Sequence, residues 1–222
     1  MKLILDTANQ EKIKEYLTYL PVSGVTTNPS IVKKEGEIDF FEHMREIRQL
    51  IGFERSLHVQ VIAQDYEGML ADAHRLVEEI DNQIFIKVPV TKEGLRAIKT
   101  LKKAKLGVTA TAIYTEMQAL LALESGADFL APYVNRISSL NGDAFSLISH
   151  VQKEIERTQS STQILAASFK QVGQVLDAVH AGASCVTVGT DVLDQFLVHP
   201  SIDQAVADFA RDWESNFGRN SI

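Results

Sequence analysis

One lysine stands in the middle of an otherwise apolar run, Ile84-Phe85-Ile86-Lys87-Val88-Pro89-Val90. Such a run reads as a strand buried on both faces of a sheet that helices cover. Burying an unpaired ammonium costs on the order of several kcal/mol, so Lys87 must be paired, exposed at the end of its strand, or partly neutral. A neutral amine is a nucleophile. It adds to a ketone, loses water to give an iminium, and the iminium accepts the electrons of a neighbouring carbon–carbon bond as that bond breaks. Pro89 cannot donate to a ladder and therefore sets Lys87 near the C-terminal end of its strand.

The elements that must position this lysine follow from periodicity. Short strands are expected at Lys2 to Asp6, Val22 to Thr26, Leu57 to Ile62, Ile84 to Val90, Val108 to Ile113, Asp128 to Val134, Gln163 to Ser168 and Ser184 to Gly189. Amphipathic helical stretches separate them, with Ile13, Tyr16 and Leu17 on one face, and Leu70, Ala73, Val77 and Ile80 on another. Thr7 with Gln10, Asp39 with Glu42 and Thr115 with Gln118 have capping-box spacing. Asn28-Pro29 permits only a turn or a helix start. Closing helices are expected at Val192 to Leu197 and Ile202 to Trp213. Strict alternation without a dividing linker specifies parallel strands in an α/β fold. No Gly-x-Gly-x-x-Gly turn follows the first strand and no Walker-type loop occurs, which favours a single-domain (β/α)₈ barrel over residues 1–222 against an open nucleotide-binding sheet.

In such a barrel the C-terminal strand ends converge on one mouth, and the residues there are polar: Asp6, Thr26, Asn28, Gln60, Lys87, Thr111, Tyr133, Arg136 and Ser168. Tyr133 is suited to acid/base work, Asp6 to shuttling protons or holding the iminium side, Asn28 to bonding a substrate hydroxyl, and Arg136 with Ser168 to holding a phosphate. Each also has a structural reading: Asp6 as a helix cap, Asn28-Pro29 as a turn, Gln60 and Tyr133 as satisfied core groups. His58 stands near the same strand end and is a candidate to face the same cavity.

A formal charge of −7 argues against non-specific binding to nucleic acid or anionic membrane, while one local cation still suffices for a phosphorylated substrate. Cys185 is the single cysteine, sits in an apolar run, and reads as core. The six histidines lack metal-site spacing, and no Gly-x-Ser-x-Gly elbow supports a serine triad. The start, Met1-Lys2-Leu3-Ile4-Leu5-Asp6, is interrupted too early for a secretion signal, so a cytoplasmic location is expected.

Together, Leu5-Asp6-Thr7, Gly24-Val25-Thr26-Thr27-Asn28-Pro29-Ser30, Ile86-Lys87-Val88-Pro89-Val90-Thr91, Ala131-Pro132-Tyr133-Val134-Asn135-Arg136 and Ala166-Ala167-Ser168-Phe169-Lys170 resemble the transaldolase family, most closely its small branch of fructose-6-phosphate aldolases. The resemblance implies a class I aldolase that cleaves fructose 6-phosphate to dihydroxyacetone and glyceraldehyde 3-phosphate, with no metal or organic cofactor. It implies Lys87 as the Schiff-base lysine, with Tyr133, Gln60, Thr111 and Asp6 as catalytic partners. Asn28, Thr26 and Ala131 fall in the substrate-binding set, and Arg136 with Ser168 binds phosphate. The transaldolase branch carries Glu and Phe where this chain has Gln60 and Tyr133, which favours aldolase. Two alternatives stay open: a transaldolase passing a dihydroxyacetone unit between sugar phosphates in the pentose phosphate pathway, and an inactive sugar-phosphate-binding barrel. The resemblance also implies rings of five, paired into decamers, with the tail from about residue 201 to 222 laid across a neighbouring subunit.

Overall fold

The eight expected strands close into one parallel barrel in chain order, each hydrogen-bonded to the next and the last to the first. A computed structural model describes residues 1–222. The elements are β1 (Lys2–Asp6), α1 (Gln10–Leu17), β2 (Val22–Thr26), α2 (Pro29–Val32) with a 3₁₀ turn at Lys33–Glu35, α3 (Phe40–Ile51), β3 (Ser56–Gln60) and α4 (Tyr66–Glu79). They continue as β4 (Phe85–Pro89), α5 (Lys92–Lys103), β5 (Gly107–Ile113), α6 (Glu116–Glu124), β6 (Phe129–Pro132), α7 (Val134–Ser139), α8 (Ala144–Thr158), β7 (Gln163–Ala166), α9 (Val172–His180), β8 (Cys185–Val188), α10 (Thr190–Leu193) and α11 (Pro200–Phe217). No helix is long and apolar enough to cross a membrane.

Two layers of side chains divide the work because strand residues alternate in and out. Outward residues such as Leu5, Val25, Val59, Ile86, Val88 and Val186 pack under the helices in one core of 48 buried residues. Each fully buried aliphatic side chain there contributes roughly 1.5–3 kcal/mol from leaving water. Inside the barrel the apolar set is small. Ile4, Phe129, Leu165 and Cys185 fill the N-terminal end with Phe85 against them, and above them the bore turns polar. Cys185 is thus the core residue expected, and burial pushes its thiol pKa up.

Local chemistry sets the element starts. Asp39 and Asp65 accept from the backbone N–H three residues on, and Thr115 with Gln118 forms the full reciprocal capping box. The Thr7/Gln10 pairing does not form. Asn9 caps α1 instead, its side chain accepting from Lys12 N–H, while Thr7 Oγ1 accepts from Asn9 N–H. Pro89 does not end its ladder as abruptly as expected: it stays in register with Thr111, and Val90 N–H still donates to the Thr111 carbonyl. The closing helices also shift, to the short α10 and a longer α11. The pairing of β5 with β6 slips by one residue between Ala110 and Ile113, a bulge with Ala112 in the left-handed region at φ 56°.

Candidate active site

Lys87 lies at the centre of β4 and points into the bore, where it is buried and donates a 2.8 Å hydrogen bond to the Thr27 carbonyl. Burial pulls its pKa below the ordinary lysine value, and the charge of Asp6 opposes that pull. Of the three states open to a lysine in this run, the structure combines two: it is paired to a backbone acceptor and biased toward the neutral amine.

Asp6, the last residue of β1, accepts a 2.6 Å bond from Thr26 Oγ1, which also stands 2.6 Å from Thr187 Oγ1. Burial raises the Asp6 pKa, while the Lys87 charge and the Thr26 bond restrain the rise. It caps no helix. A carboxyl whose burial favours its protonated form, near a lysine whose burial favours the neutral amine, is suited to exchange a proton with a bound molecule.

Asn28 does cap a helix, its Oδ1 accepting from Ile31 N–H at 3.0 Å. That contact orients the amide so that its Nδ2 donors are left for the cavity. On the far wall Tyr133 follows β6, and its hydroxyl sits 3.1 Å from Thr111 Oγ1, a direct contact. Burial raises its pKa, so the phenol keeps its proton through the neutral range. Gln60 ends β3 with its amide oxygen buried and unpartnered in the protein. Leaving such an acceptor unsatisfied costs about 1–3 kcal/mol, so Gln60 Oε1 is suited to accept from a hydroxyl that enters the cavity.

These groups surround a cavity of about 590 Å³ at the C-terminal mouth, lined among others by Asp6, Asn28, Gln60, Lys87, Ala112, Tyr133, Asn135, Arg136, Ser168, Lys170 and Asp191. Arg136 lies over the Tyr133 ring at 4.9 Å and donates to Tyr114 Oη at 3.1 Å. Ser168 opens the loop after β7 with φ 64°, and its carbonyl accepts from Asn135 N–H. Two non-glycine residues in left-handed conformations, Ala112 and Ser168, therefore border one cavity, where strain of about 1–3 kcal/mol each is tolerated to aim neighbouring groups. Four cations, Lys34, Lys87, Arg136 and Lys170, face two carboxylates, so the mouth is locally positive in a chain of net negative charge.

The structure thus brings Asp6, Asn28, Gln60, Lys87, Tyr133, Arg136 and Ser168 to one cavity, with Thr26 and Thr111 bonded directly behind Asp6 and Tyr133. Ala131 is buried on β6 two residues before Tyr133 and does not line the cavity. His58 faces the bore but not the cavity. Its ring bonds Thr109 Oγ1 at 2.8 Å and Ser56 Oγ at 2.9 Å, stacks on Phe85, and is kept neutral chiefly by burial. Sequence reasoning missed Tyr114, Lys34, Lys170, Asn135 and Asp191. Tyr114 directly follows the β5 strand end and was accessible on that ground; Asn135 and Asp191 sit in the short helices α7 and α10, Lys34 in the 3₁₀ turn and Lys170 in the loop after β7, and only the fold brings them to the mouth.

The chain resembles known proteins along its whole length. The family model described as Transaldolase/Fructose-6-phosphate aldolase matches residues 3–220. A protein of Streptococcus pneumoniae (strain ATCC 700669 / Spain 23F-1) named probable fructose-6-phosphate aldolase is 54% identical over 213 residues, 96% of each chain. Proteins named probable transaldolase in two strains of Methanococcus maripaludis are 40% identical over 219 residues, 99% of this chain and 100% of theirs. A closed eight-stranded barrel with a buried lysine at its mouth and a match to the family over nearly every residue lead to one conclusion: this chain belongs to the transaldolase/fructose-6-phosphate aldolase family.

Proposed function

We propose that the protein is a Schiff-base aldolase that reversibly cleaves fructose 6-phosphate to dihydroxyacetone and glyceraldehyde 3-phosphate. The observation that carries the reading is Lys87: buried, held by the Thr27 carbonyl, biased toward its neutral form and set beside Asp6. Its amine attacks the ketose carbonyl at C2, and loss of water leaves an iminium. A base removes the C4 hydroxyl proton, the C3–C4 bond breaks, and its electrons pass into the iminium to give an enamine as glyceraldehyde 3-phosphate departs. Protonation of the enamine at C3 restores an iminium, which water hydrolyses to dihydroxyacetone and free Lys87. Tyr133, protonated and bonded to Thr111, supplies and retrieves these protons; Asp6 holds the nitrogen side; the Asn28 amide bonds a donor hydroxyl; Arg136 and Ser168 receive the phosphate. No metal or organic cofactor enters this sequence of steps.

The transaldolase reading uses the same lysine and is favoured by the names of the 40% identical relatives. Against it stand Tyr133 and Gln60: a hydroxyl and an unpartnered amide oxygen at the cavity suit hydrolysis of the adduct. Incubation with fructose 6-phosphate alone decides. Steady release of both products, with a borohydride-reduced adduct on Lys87, is the expected result. Adduct formation should rise with pH along a limb centred below that of an ordinary lysine, and Lys87→Met should abolish both. Turnover that begins only when erythrose 4-phosphate is added means a transaldolase.

The same reading includes a cytoplasmic setting, where a lone unpaired thiol and charged sugar phosphates are both at home. It also includes a homo-oligomer, a pentamer or decamer. In its support, α11 buries none of its own residues and exposes Ile202, Val206, Phe209 and Phe217, while an apolar crevice of about 420 Å³ beside the mouth, with Val32, Phe40, Phe41, Ile62 and Leu76 in its lining, is suited to receive a second copy's tail.

A further inference from the structure

The bulge in β5 re-aims one aromatic side chain. Val108 and Ala110 point outward into the core under the helices, while Thr109 and Thr111 point into the bore and bond His58 and Tyr133 there. Unbroken alternation would send Ile113 inward and Tyr114 outward. The extra residue at Ala112 reverses that parity: Ile113 joins the outer core, and Tyr114 comes to lie against Tyr133 and Arg136 beside the mouth. Gln118 fixes it in place, its Oε1 accepting from Tyr114 N–H at 2.9 Å while its Nε2 donates to the Val90 carbonyl at 3.3 Å.

From this position the Tyr114 hydroxyl accepts from Arg136 at 3.1 Å, and the Tyr114 ring meets the Tyr133 ring edge-on with centroids 5.6 Å apart. The Arg136 guanidinium lies over that same Tyr133 ring at 4.9 Å. Two tyrosines thus hold one arginine, the first by a hydrogen bond at an edge and the second by a face. Arg136 itself is exposed and lines the cavity, where an untethered guanidinium on its long stem would sample many rotamers. The Tyr114 hydroxyl takes up one N–H and leaves the rest of the donor fork for an anion.

We infer that Tyr114 is a positioning residue whose hydroxyl pre-sets the Arg136 guanidinium for a phosphate, and that it thereby sets how strongly the site prefers phosphorylated over unphosphorylated aldehydes. This rests on the reading of Arg136 as the phosphate-receiving residue of a Schiff-base aldolase. Tyr114 does not line the cavity and acts only through the arginine. Its bond orders the guanidinium when the chain folds rather than when substrate binds, so the gain falls on affinity for the phosphate and not on the chemistry at Lys87. Phenylalanine keeps the ring against Tyr133 and removes only the acceptor, so Tyr114→Phe isolates the bond.

The test is condensation of dihydroxyacetone with glyceraldehyde 3-phosphate and, separately, with glyceraldehyde, measured on the full chain. The ratio of kcat/KM for the phosphorylated aldehyde to that for the unphosphorylated one should fall about threefold to tenfold in Tyr114→Phe, the scale of one hydrogen bond, with KM for glyceraldehyde 3-phosphate carrying the change. Arg136→Met should lower the ratio further, and adding Tyr114→Phe to Arg136→Met should lower it no more, because the tyrosine has lost the group it acts through. A ratio that Arg136→Met lowers and Tyr114→Phe leaves at the parent value overturns this inference while the phosphate reading stands. So does a further fall when Tyr114→Phe is added to Arg136→Met. A ratio that Arg136→Met does not move overturns the phosphate reading of Arg136 together with this inference and leaves the aldolase standing. No condensation with either aldehyde overturns the aldolase reading and this inference with it.

Discussion

In the proposed reaction Tyr133 decides what becomes of the adduct on Lys87, because its hydroxyl, kept protonated by burial, faces the cavity from the far wall. Tyr133→Phe removes that proton while keeping the ring under Arg136. Release of free dihydroxyacetone should drop about 100-fold or more, the usual weight of a positioned general acid, whereas transfer to an added aldose phosphate should persist or rise. Parallel assays with and without erythrose 4-phosphate check this, and equal losses in both would remove Tyr133 from the hydrolytic step. Lys87 was legible in the sequence because a charge inside a β-branched run conflicts with its surroundings, and such conflicts concentrate at functional sites. Lys34 was not legible as a cavity residue, since a lysine in a short polar turn conflicts with nothing and only the fold brings it to the mouth. His58 misled for a related reason: side-chain alternation along β3 gave it the right face, but its depth in the bore depended on the partners Ser56 and Thr109.

Among the elements, the join between β4 and α5 has least room to move. Gly94 sits in the first turn of α5, capped by Thr91 Oγ1, and an added Cβ would lie 1.9 Å from the Pro89 carbonyl oxygen. Pro89 is two residues from Lys87, so Gly94→Ala should push the end of β4 and tilt the lysine out of line. We expect a loss of about 1–3 kcal/mol in urea unfolding, as for an overpacked core, with kcat lowered about tenfold or more. A variant with full stability and full kcat would mean that α5 shifts freely against β4. The strands were readable within a residue or two, because alternation and β-branched runs mark them locally. The short helices were readable only in part, since four to six residues carry little periodicity: α7 went unread, α2 registered as a turn or helix start at Asn28-Pro29, and α10 was placed two residues late. The bulge at Ala112 left no sequence signal at all, for alanine is an ordinary strand residue and its left-handed conformation is imposed by the pairing of β5 with β6.

For the whole molecule, the unburied α11 is the feature that asks for a partner. Trp213 packs on Phe217 with ring centroids 4.2 Å apart, but the helix leaves its apolar residues outside the barrel core. Sedimentation of the full chain should give a pentamer or decamer, and removal of residues 200–222 should give smaller species that still form the reduced adduct on Lys87. A monomeric full chain would overturn the proposed assembly. The division between the two layers of side chains has a consequence for how such a protein changes over time. Most apolar burial resides in the shell between strands and helices, with a small apolar plug at the N-terminal end of the bore, while above that plug the bore is lined by threonines, a neutral histidine, a carboxyl and a lysine that bury little apolar surface. Substitutions in the polar upper bore that keep its hydrogen bonds satisfied therefore draw little on the apolar burial that keeps the barrel closed, so chemistry and stability have room to evolve separately.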